Sequence, residues 1–435
     1  MQDTQQGLDV RRLAVLCLTE ILEGQRLSDE VIERRPDVAA LAPRDRAFLR
    51  AIVMATLRHA GEIDAVLAEF LAKPLPRKAG PARQILETAA AQLLFMEVAP
   101  HAVVDLSVRL AKADANATHF SGVINGVLRN MARRGHEVLA RVGGARRNVP
   151  DWCWQRWVSA YGDADAAVIA ESRLEEPALD LTPRADAALW AERLGGVLLP
   201  TGSIRLPMNH SAIEELPGYS EGAWWVQDAA AAIPARLLGD VKNMSVLDLC
   251  AAPGGKTLQL AAAGARVTAV DKSAARLKRL SENLSRTGHS AEILVGDAEQ
   301  AAGDRLFDAV LLDAPCSATG TIRRHPELLM VKSEKQIRDM ARIQARLLSA
   351  AARRVKPGGL LVYCTCSLEP EEGEDQVSPF LAGHAVFALS PVVAGEAGLP
   401  ADCARPPGLF RSLPGVGGGR TASMDGFFAA RFRCL

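Results

Sequence analysis

From position 245 onward the chain alternates short β-rich apolar runs (246–249, 266–270, 293–295, 309–312 and 360–364) with helix-like segments (275–286 and 333–354). This alternation restricts the fold to a doubly wound parallel sheet. A parallel crossover needs about a dozen residues, and a helix satisfies their backbone hydrogen bonds internally. Ser333 and Gln336 have the spacing of a capping box for the second helix, whose apolar side would carry Ile337, Met340, Leu347 and Ala351. The last apolar run, 426–432, reads as a late edge strand.

Ahead of this region the grammar differs. Between 10 and 134 the apolar residues recur every three or four positions, as in Leu13, Leu16, Leu18, Ile21 and Leu22, so the block reads as all-helical. Helices fit 83–96, 102–112 and 122–133. From Arg129 to Arg147 six basic residues stand against one acid, with Gly143, Gly144 and Pro150 as breakers, and the stretch reads as a basic linker. Residues 151–217 combine Trp152, Trp154 and Trp157 with short apolar runs such as 197–199, which suits a small α+β subdomain. At roughly 150 residues per domain, the 435-residue chain divides into an all-helical domain (1–140), a linker with the small subdomain (141–217) and a catalytic α/β domain (218–435).

The eight cysteines, at 17, 153, 250, 316, 364, 366, 403 and 434, form no paired framework and point to individual thiols in a reducing compartment. Cys364 and Cys366 have no second close pair, so no metal site is expected. No run approaches the roughly 18 apolar residues of a membrane span, and no secretory cleavage pattern opens the chain; the expectation is a cytoplasmic protein with no membrane segment. The 51 basic and 51 acidic residues cancel, which argues against bulk attraction to a polyanion. The neutrality conceals two basic windows, 129–147 and 318–356, the second with ten basic residues against three acids.

Cys250, Ala251, Ala252, Pro253, Gly254, Gly255 and Lys256 form a Gly-rich turn between the run 246–249 and an apolar helix, at a strand's carboxyl end, where doubly wound sheets bind ligands. A P-loop nucleotidase using Gly255, Lys256 and Thr257 is the rival reading. That motif requires Gly at position 250, and cysteine resists the backbone freedom that glycine supplies. Asp271 closes the second strand, where a carboxylate can accept both ribose hydroxyls, and Asp297 after the third can accept from an adenine amino group. With Asp313 after the fourth, these ordered acids point to an adenosyl ligand.

Cys316 follows the fourth strand and Cys366 the fifth, both at the carboxyl rim of one sheet. Carbon 5 of cytosine is too weak a nucleophile to take a methyl group directly. A thiolate that adds to carbon 6 makes carbon 5 carbanion-like, and a second group must then remove the carbon 5 proton. Asp313 can hydrogen-bond the N3 and amino edge of the base as charge develops. The residues alone leave open which thiol attacks.

The strings CAAPGGK (250–256), DAPCSATGTIRRHPE (313–327), YCTCS (363–367), VQDAA (226–230) and DGFFAARF (425–432) closely resemble the Sun/Fmu family of RNA cytosine-5 methyltransferases. The helical start, above all INGVLR (124–129), resembles bacterial members that carry a NusB-like RNA-binding domain. The resemblance implies a multidomain chain: an all-α NusB-like domain, a small α+β subdomain, and a Rossmann-like class I methyltransferase domain with a mostly parallel seven-stranded sheet. It implies S-adenosyl-L-methionine held by the 250–256 turn, Asp271, Asp297 and Asp313. It also implies Cys366 as nucleophile, Cys316 as the thiol that releases product, and small-subunit (16S) ribosomal RNA as substrate; no stable protein partner is inferred. One departure is Pro177-Ala-Leu-Asp-Leu-Thr182, where the family has an Arg-Val-Asn-type strand. Cys364, two residues from Cys366 on the same strand face, is read as packing.

Arg323, Arg324 and His325, directly after the Cys316 loop, and Arg129, Arg133 and Arg134 are the candidate phosphate contacts. Lys335, Arg338, Arg342 and Arg346 share one helix side, which is either a solvated face or a second such surface. With 20 aromatic residues and no RNP-type string, recognition by backbone charge and shape, with one cytosine flipped into the crevice, fits better than extended stacking. Transfer RNA as substrate and a non-catalytic RNA-binding assembly factor are the alternatives.

Overall fold

The computed structural model describes residues 2–76, 79–416 and 423–435, and the chain divides into two units. Unit 1, residues 1–175 with 322–332, is helical. Pro43 and Pro100 open the helices Pro43–Arg58 and Pro100–Ala113, at the first turn where a missing N–H costs nothing. Ile85, Ala89, Val103, Ile124, Leu128 and Met131 meet in its main core. The helix expected to stop at Arg133 runs Ser121–Val142, so Arg129, Arg133, Arg134 and Arg141 are helical and not in a linker. Met131, Gly135 and Val138 continue its buried stripe past the basic residues, and that stripe carries the helix onward. The helix Asp151–Ser172 also belongs to this unit, which therefore ends at 175 and not at 140.

The segment 322–332 returns to unit 1 and is pinned there. Buried Arg173 donates to the carbonyls of Leu57 at 2.8 Å and Pro326 at 3.0 Å, Arg58 Nη2 donates to the Arg323 carbonyl at 3.0 Å, and the Ser28 amide donates to Glu327 Oε1 at 2.7 Å.

Unit 2 opens with a small antiparallel sheet of β1 (Asp180–Pro183), β2 (Val197–Leu198), β3 (Ile204–Arg205) and β4 (Trp224–Val226), in the order β2-β3-β1-β4. With the helix Ala187–Arg193 it is the α+β subdomain, displaced toward the C-terminus from the span read in the sequence. The second half of the departing string, 180–182, still lies in β1. Buried Asp180 accepts Arg205 Nε and Nη2, each at 2.7 Å, and its Oδ2 also accepts the Ala229 amide at 3.1 Å, which ties the small sheet to the helix Ala229–Arg236.

The large sheet comprises β5 (Ser245–Leu249), β6 (Arg266–Asp271), β7 (Glu292–Val295), β8 (Phe307–Asp313), β9 (Val355–Thr365), β10 (Phe387–Leu389), β11 (Ala404–Arg405), β12 (Leu409–Ser412) and β13 (Phe427–Cys434). Its order is β11-β12-β13-β9-β8-β5-β6-β7, with β10 also on β13. The strands β9, β8, β5, β6 and β7 run parallel, and the remainder attach antiparallel. The sheet has nine strands and not seven; the additions are short pieces around β13. β13 is interior and not an edge strand, because Phe427, Phe428, Ala429, Ala430 and Phe432 bury both of its faces between β9 and β12. The helix Glu334–Ala352 has the expected Ser333–Gln336 capping box, with Ile337, Leu347 and Ala351 buried.

Asp180→Ala leaves Arg205 buried without its carboxylate, and should lower the stability of unit 2 by about 3–5 kcal/mol. Urea unfolding of the full chain with an unchanged midpoint for that transition would contradict this.

Candidate active site

Across the sheet, the carboxyl rim carries Cys366 past β9, Asp313 and Cys316 at and beyond the end of β8, the 250–256 turn past β5, Asp271 at the end of β6 and Asp297 past β7. Chain order reverses between β5 and β8, and such a switch point opens a crevice. The sequence-assigned cofactor residues and both candidate thiols thus share one rim.

On the β6 side, Asp271 is buried. Its Oδ2 accepts the Ala252 amide at 3.2 Å and its Oδ1 the Ser273 amide at 2.9 Å, so the carboxylate fixes the glycine turn and keeps lone pairs for a ligand's hydroxyls. Asp297 is exposed. Asp248, fully buried beneath the turn, accepts Thr257 Oγ1 at 2.5 Å on Oδ2, while Oδ1 has no partner; burial pushes its carboxyl up to about 7. A buried acceptor with unfilled capacity and carboxylates at successive strand ends fit S-adenosyl-L-methionine. Cys250 adopts φ +61°, so cysteine does take the left-handed conformation expected of glycine, and that objection to a P-loop falls. What excludes a P-loop is that Lys256 and Thr257 are committed to Asp313 and Asp248.

Lys256 Nζ lies 2.7 Å from Asp313 Oδ2 and 4.9 Å from the centre of the Phe427 ring. Burial alone would lower the ammonium; Asp313 outweighs it and holds Lys256 charged above its ordinary range. On the β9 side, the Sγ atoms of Cys316 and Cys366 are 3.5 Å apart, both as free thiols. The Cys316 thiol is held well above its ordinary range by its hydrogen bond to Cys366, by burial, and by the charges of Cys366 and Glu372. Cys364 is fully buried and pairs in register with Asp313 on β8; its thiol, pushed up by burial and by Asp313, donates to Asp313 Oδ1 at 3.5 Å, so it does more than pack.

The remaining family strings converge on the same rim. Asp228 caps the helix Ala229–Arg236 and accepts the Asp425 amide at 3.2 Å. Gly426 donates to the Gly320 carbonyl at 2.8 Å, and a Cβ on Gly320 would stand 1.9 Å from the Gly426 oxygen, so only glycine fits this crossing of the Cys316 loop. Sequence reasoning missed Asp248, Phe427, Gln344 and Glu372. Glu372 lies in Glu369-Pro370-Glu371-Glu372, which reads as an exposed acidic turn, yet it is fully buried.

The candidate RNA contacts divide. Arg323 is 5% exposed inside unit 1, so its assignment to phosphate is withdrawn; Arg324 and His325 are half-buried, with His325 Nδ1 3.5 Å from Glu327. Arg129 and Arg133 line an open groove of 790 Å³ with Lys112, His101, Asn125 and one acid, Asp105, while Arg134 pairs with Glu137 at 3.5 Å. The stripe on Glu334–Ala352 is a solvated face: Lys335, Arg338, Arg342 and Arg346 each have an acid within 4.0 Å. Among the described residues no metal-binding cluster is present, and no helix is long and apolar enough to cross a membrane.

A Rossmann-like sheet with an adenosyl-type site beside two apposed thiols defines a methyltransferase of the two-cysteine class. Residues 235–433 match the family described as 16S rRNA methyltransferase RsmB/F, and residues 8–133 match the NusB family. Ribosomal RNA small subunit methyltransferase B of Serratia proteamaculans is 35% identical over 87% of this chain and 91% of its own length; that of Klebsiella pneumoniae is 34% identical over 98% of each. The crystal structure of PH0851 matches with TM-score 0.73 at 25% identity over 98% of each chain. A methyltransferase homolog from Pyrococcus horikoshii matches with TM-score 0.55 at 27% identity, over 65% of this chain and 94% of that one. The chain belongs to the ribosomal RNA small subunit methyltransferase B family.

Asp271→Asn should weaken S-adenosyl-L-methionine binding by about 10- to 100-fold, the worth of one to two charge-assisted hydrogen bonds. Calorimetry with the methyl donor checks this, and RNA affinity should be unchanged.

Proposed function

We propose that this chain transfers a methyl group from S-adenosyl-L-methionine to carbon 5 of a cytosine in small-subunit ribosomal RNA, with Cys366 as nucleophile and Cys316 as the base that releases product. The observation that carries the reading is the 3.5 Å apposition of two free thiols on the rim that also carries the adenosyl-type site. The donor supplies an electrophilic methyl group. Cys366 loses its thiol proton to solvent and its Sγ adds to carbon 6, and the Lys256 ammonium held by Asp313 is the positive group on this rim that can stabilise the negative charge driven into the ring. After carbon 5 takes the methyl group, its proton passes to Cys316 Sγ, the electrons of that C–H bond form the carbon 5–carbon 6 double bond, and the carbon 6–sulfur bond breaks to return the Cys366 thiolate.

At rest the Cys316 thiol, held above its ordinary range by its hydrogen bond to Cys366 and by burial, keeps its proton. To serve as base it gives that proton to solvent before elimination; carbon 5 then returns one to it, and the cycle closes with Cys316 again a thiol.

For RNA, the groove that brings Lys112, Arg129 and Arg133 together supports backbone contacts by the helical unit. Bisulfite mapping of ribosomal and transfer RNA from a strain lacking the protein should show a lost modified cytosine in small-subunit RNA; a loss confined to transfer RNA would overturn the substrate.

With labelled donor, Cys366→Ala should transfer no methyl to RNA, whereas Cys316→Ala should accumulate a slow-migrating covalent protein–RNA adduct; full activity of Cys366→Ala refutes the assignment. Arg129→Ala and Arg133→Ala should each weaken RNA binding and reduce the slope of log affinity against log salt by about 1. An unchanged slope would remove the groove from the interface.

A further inference from the structure

We propose that Glu372 is a positioning residue for methyl transfer: its buried carboxylate binds the serine that follows each catalytic cysteine and thereby fixes the spacing of the two thiols. The inference rests on the two-thiol reading above.

Glu372 has no solvent exposure. Its Oε1 accepts the Ser317 amide at 2.9 Å and Gln344 Nε2 at 3.0 Å. Its Oε2 accepts the hydroxyls of Ser317 and, at 2.5 Å, Ser367. Ser317 follows Cys316 and Ser367 follows Cys366, so one carboxylate holds the two loops at corresponding points. Gln344 Nε2 also donates to the Pro315 carbonyl at 2.8 Å, so Cys316 is gripped on both sides in sequence. The clamp is itself anchored to β9, since the Glu372 carbonyl accepts Tyr363 Oη at 2.7 Å and Thr365 Oγ1 at 3.2 Å.

The chemistry calls for a carboxylate here. Four donors converge on two oxygens, and an ionised carboxylate is the side chain with about four acceptor sites and no donor. Ser367 Oγ already accepts the Glu369 amide at 3.0 Å, so its proton is directed at Glu372. A glutamine would turn an NH₂ group toward hydroxyls or amides that also donate. The clamp binds backbone and hydroxyl groups and leaves both sulfurs to substrate, which is why it positions the reaction without entering it.

The test is Glu372→Gln in the full chain, with methyl transfer to RNA measured beside the pH profile of iodoacetamide alkylation at Cys316 and Cys366, read by mass spectrometry. The ionisable groups that face Cys316 are Cys366, Glu372 and Tyr363, and only Glu372 is changed. We expect kcat to fall about 10- to 100-fold, the usual consequence of displacing a reacting group by about 1 Å. KM for RNA and donor should stay within about twofold, and the Cys316 alkylation midpoint should move to lower pH as a neighbouring negative charge is lost. Glu372→Asp keeps the charge but shortens the reach, so it should preserve that midpoint while losing part of kcat. Should Glu372→Gln fail to fold, the Ser317→Ala, Ser367→Ala double variant removes both hydroxyl arms and should lower kcat with KM unchanged. Activity within about twofold of wild type in either folded variant overturns the proposal, as does a kcat loss that merely parallels a loss of Tm with an unaltered alkylation profile. If the wild type alkylates but methylates no cytosine, the functional reading fails, while the alkylation profiles still decide the clamp.

Discussion

The ion pair between Lys256 and Asp313 is the contact on which the site depends. Lys256 comes from the turn after β5 and Asp313 from the end of β8, the neighbouring strands between which chain order reverses. Removing Asp313 leaves the buried Lys256 ammonium without its counter-charge, whereas Asp313 itself reaches solvent and the ligand crevice. The pair stands between the β6 side, built to hold a nucleoside, and the β9 side, where the thiols meet. Phe427 covers the ammonium, and the strand that carries this ring is interior to the sheet. A residue near the end of the chain is thereby part of the wall of a site that begins at Cys250.

Close approaches do the rest of the assembly. The Cys316 loop crosses the start of β13 at Gly320 and Gly426, where no side chain fits, and its backbone is tied back to β9 by Gly320 N–H to the Cys366 carbonyl at 3.0 Å. The strings that look independent in sequence are therefore one constellation. VQDAA caps a helix and holds the Asp425 amide, DGFF brings Gly426 and Phe427, and the serines beside the two cysteines converge on Glu372.

The large sheet was legible because its central strands are apolar on both faces and end in acids or cysteines, and because Ser333 and Gln336 carry a local capping signal. Features set by tertiary contacts were not. The run 427–434 has the composition of an edge or an interior strand, and only burial by β9 and β12 decides between them. The helix through Arg133 reads shorter in the sequence than it is, because basic residues mask a buried stripe that needs one residue in three or four. Cys250 at positive φ is a conformation that no propensity anticipates. Glu372 was invisible because a buried carboxylate and a solvated acidic turn share the same letters; the difference lies in the donors from Ser317, Gln344 and Ser367, distant in sequence.

Charge illustrates the same limit and shows what replaces it. In the basic window 318–356, Lys335, Arg338 and Arg342 pair with Glu334 and Asp339, Arg346, Arg354 and Lys356 pair with acids outside it, and Arg323 is buried, so counting residues overstates what that region offers a polyanion. In the helical unit, Lys112, Arg129 and Arg133 come from two different helices to one open groove, although in sequence only two of them fall in a basic window. Net neutrality thus constrains long-range attraction only; short-range recognition depends on which cations share a surface without an acid between them. The groove in unit 1 gathers Lys112, Arg129 and Arg133 beside one acid, Asp105, whereas every cation of the stripe on the catalytic unit has an acid within 4.0 Å.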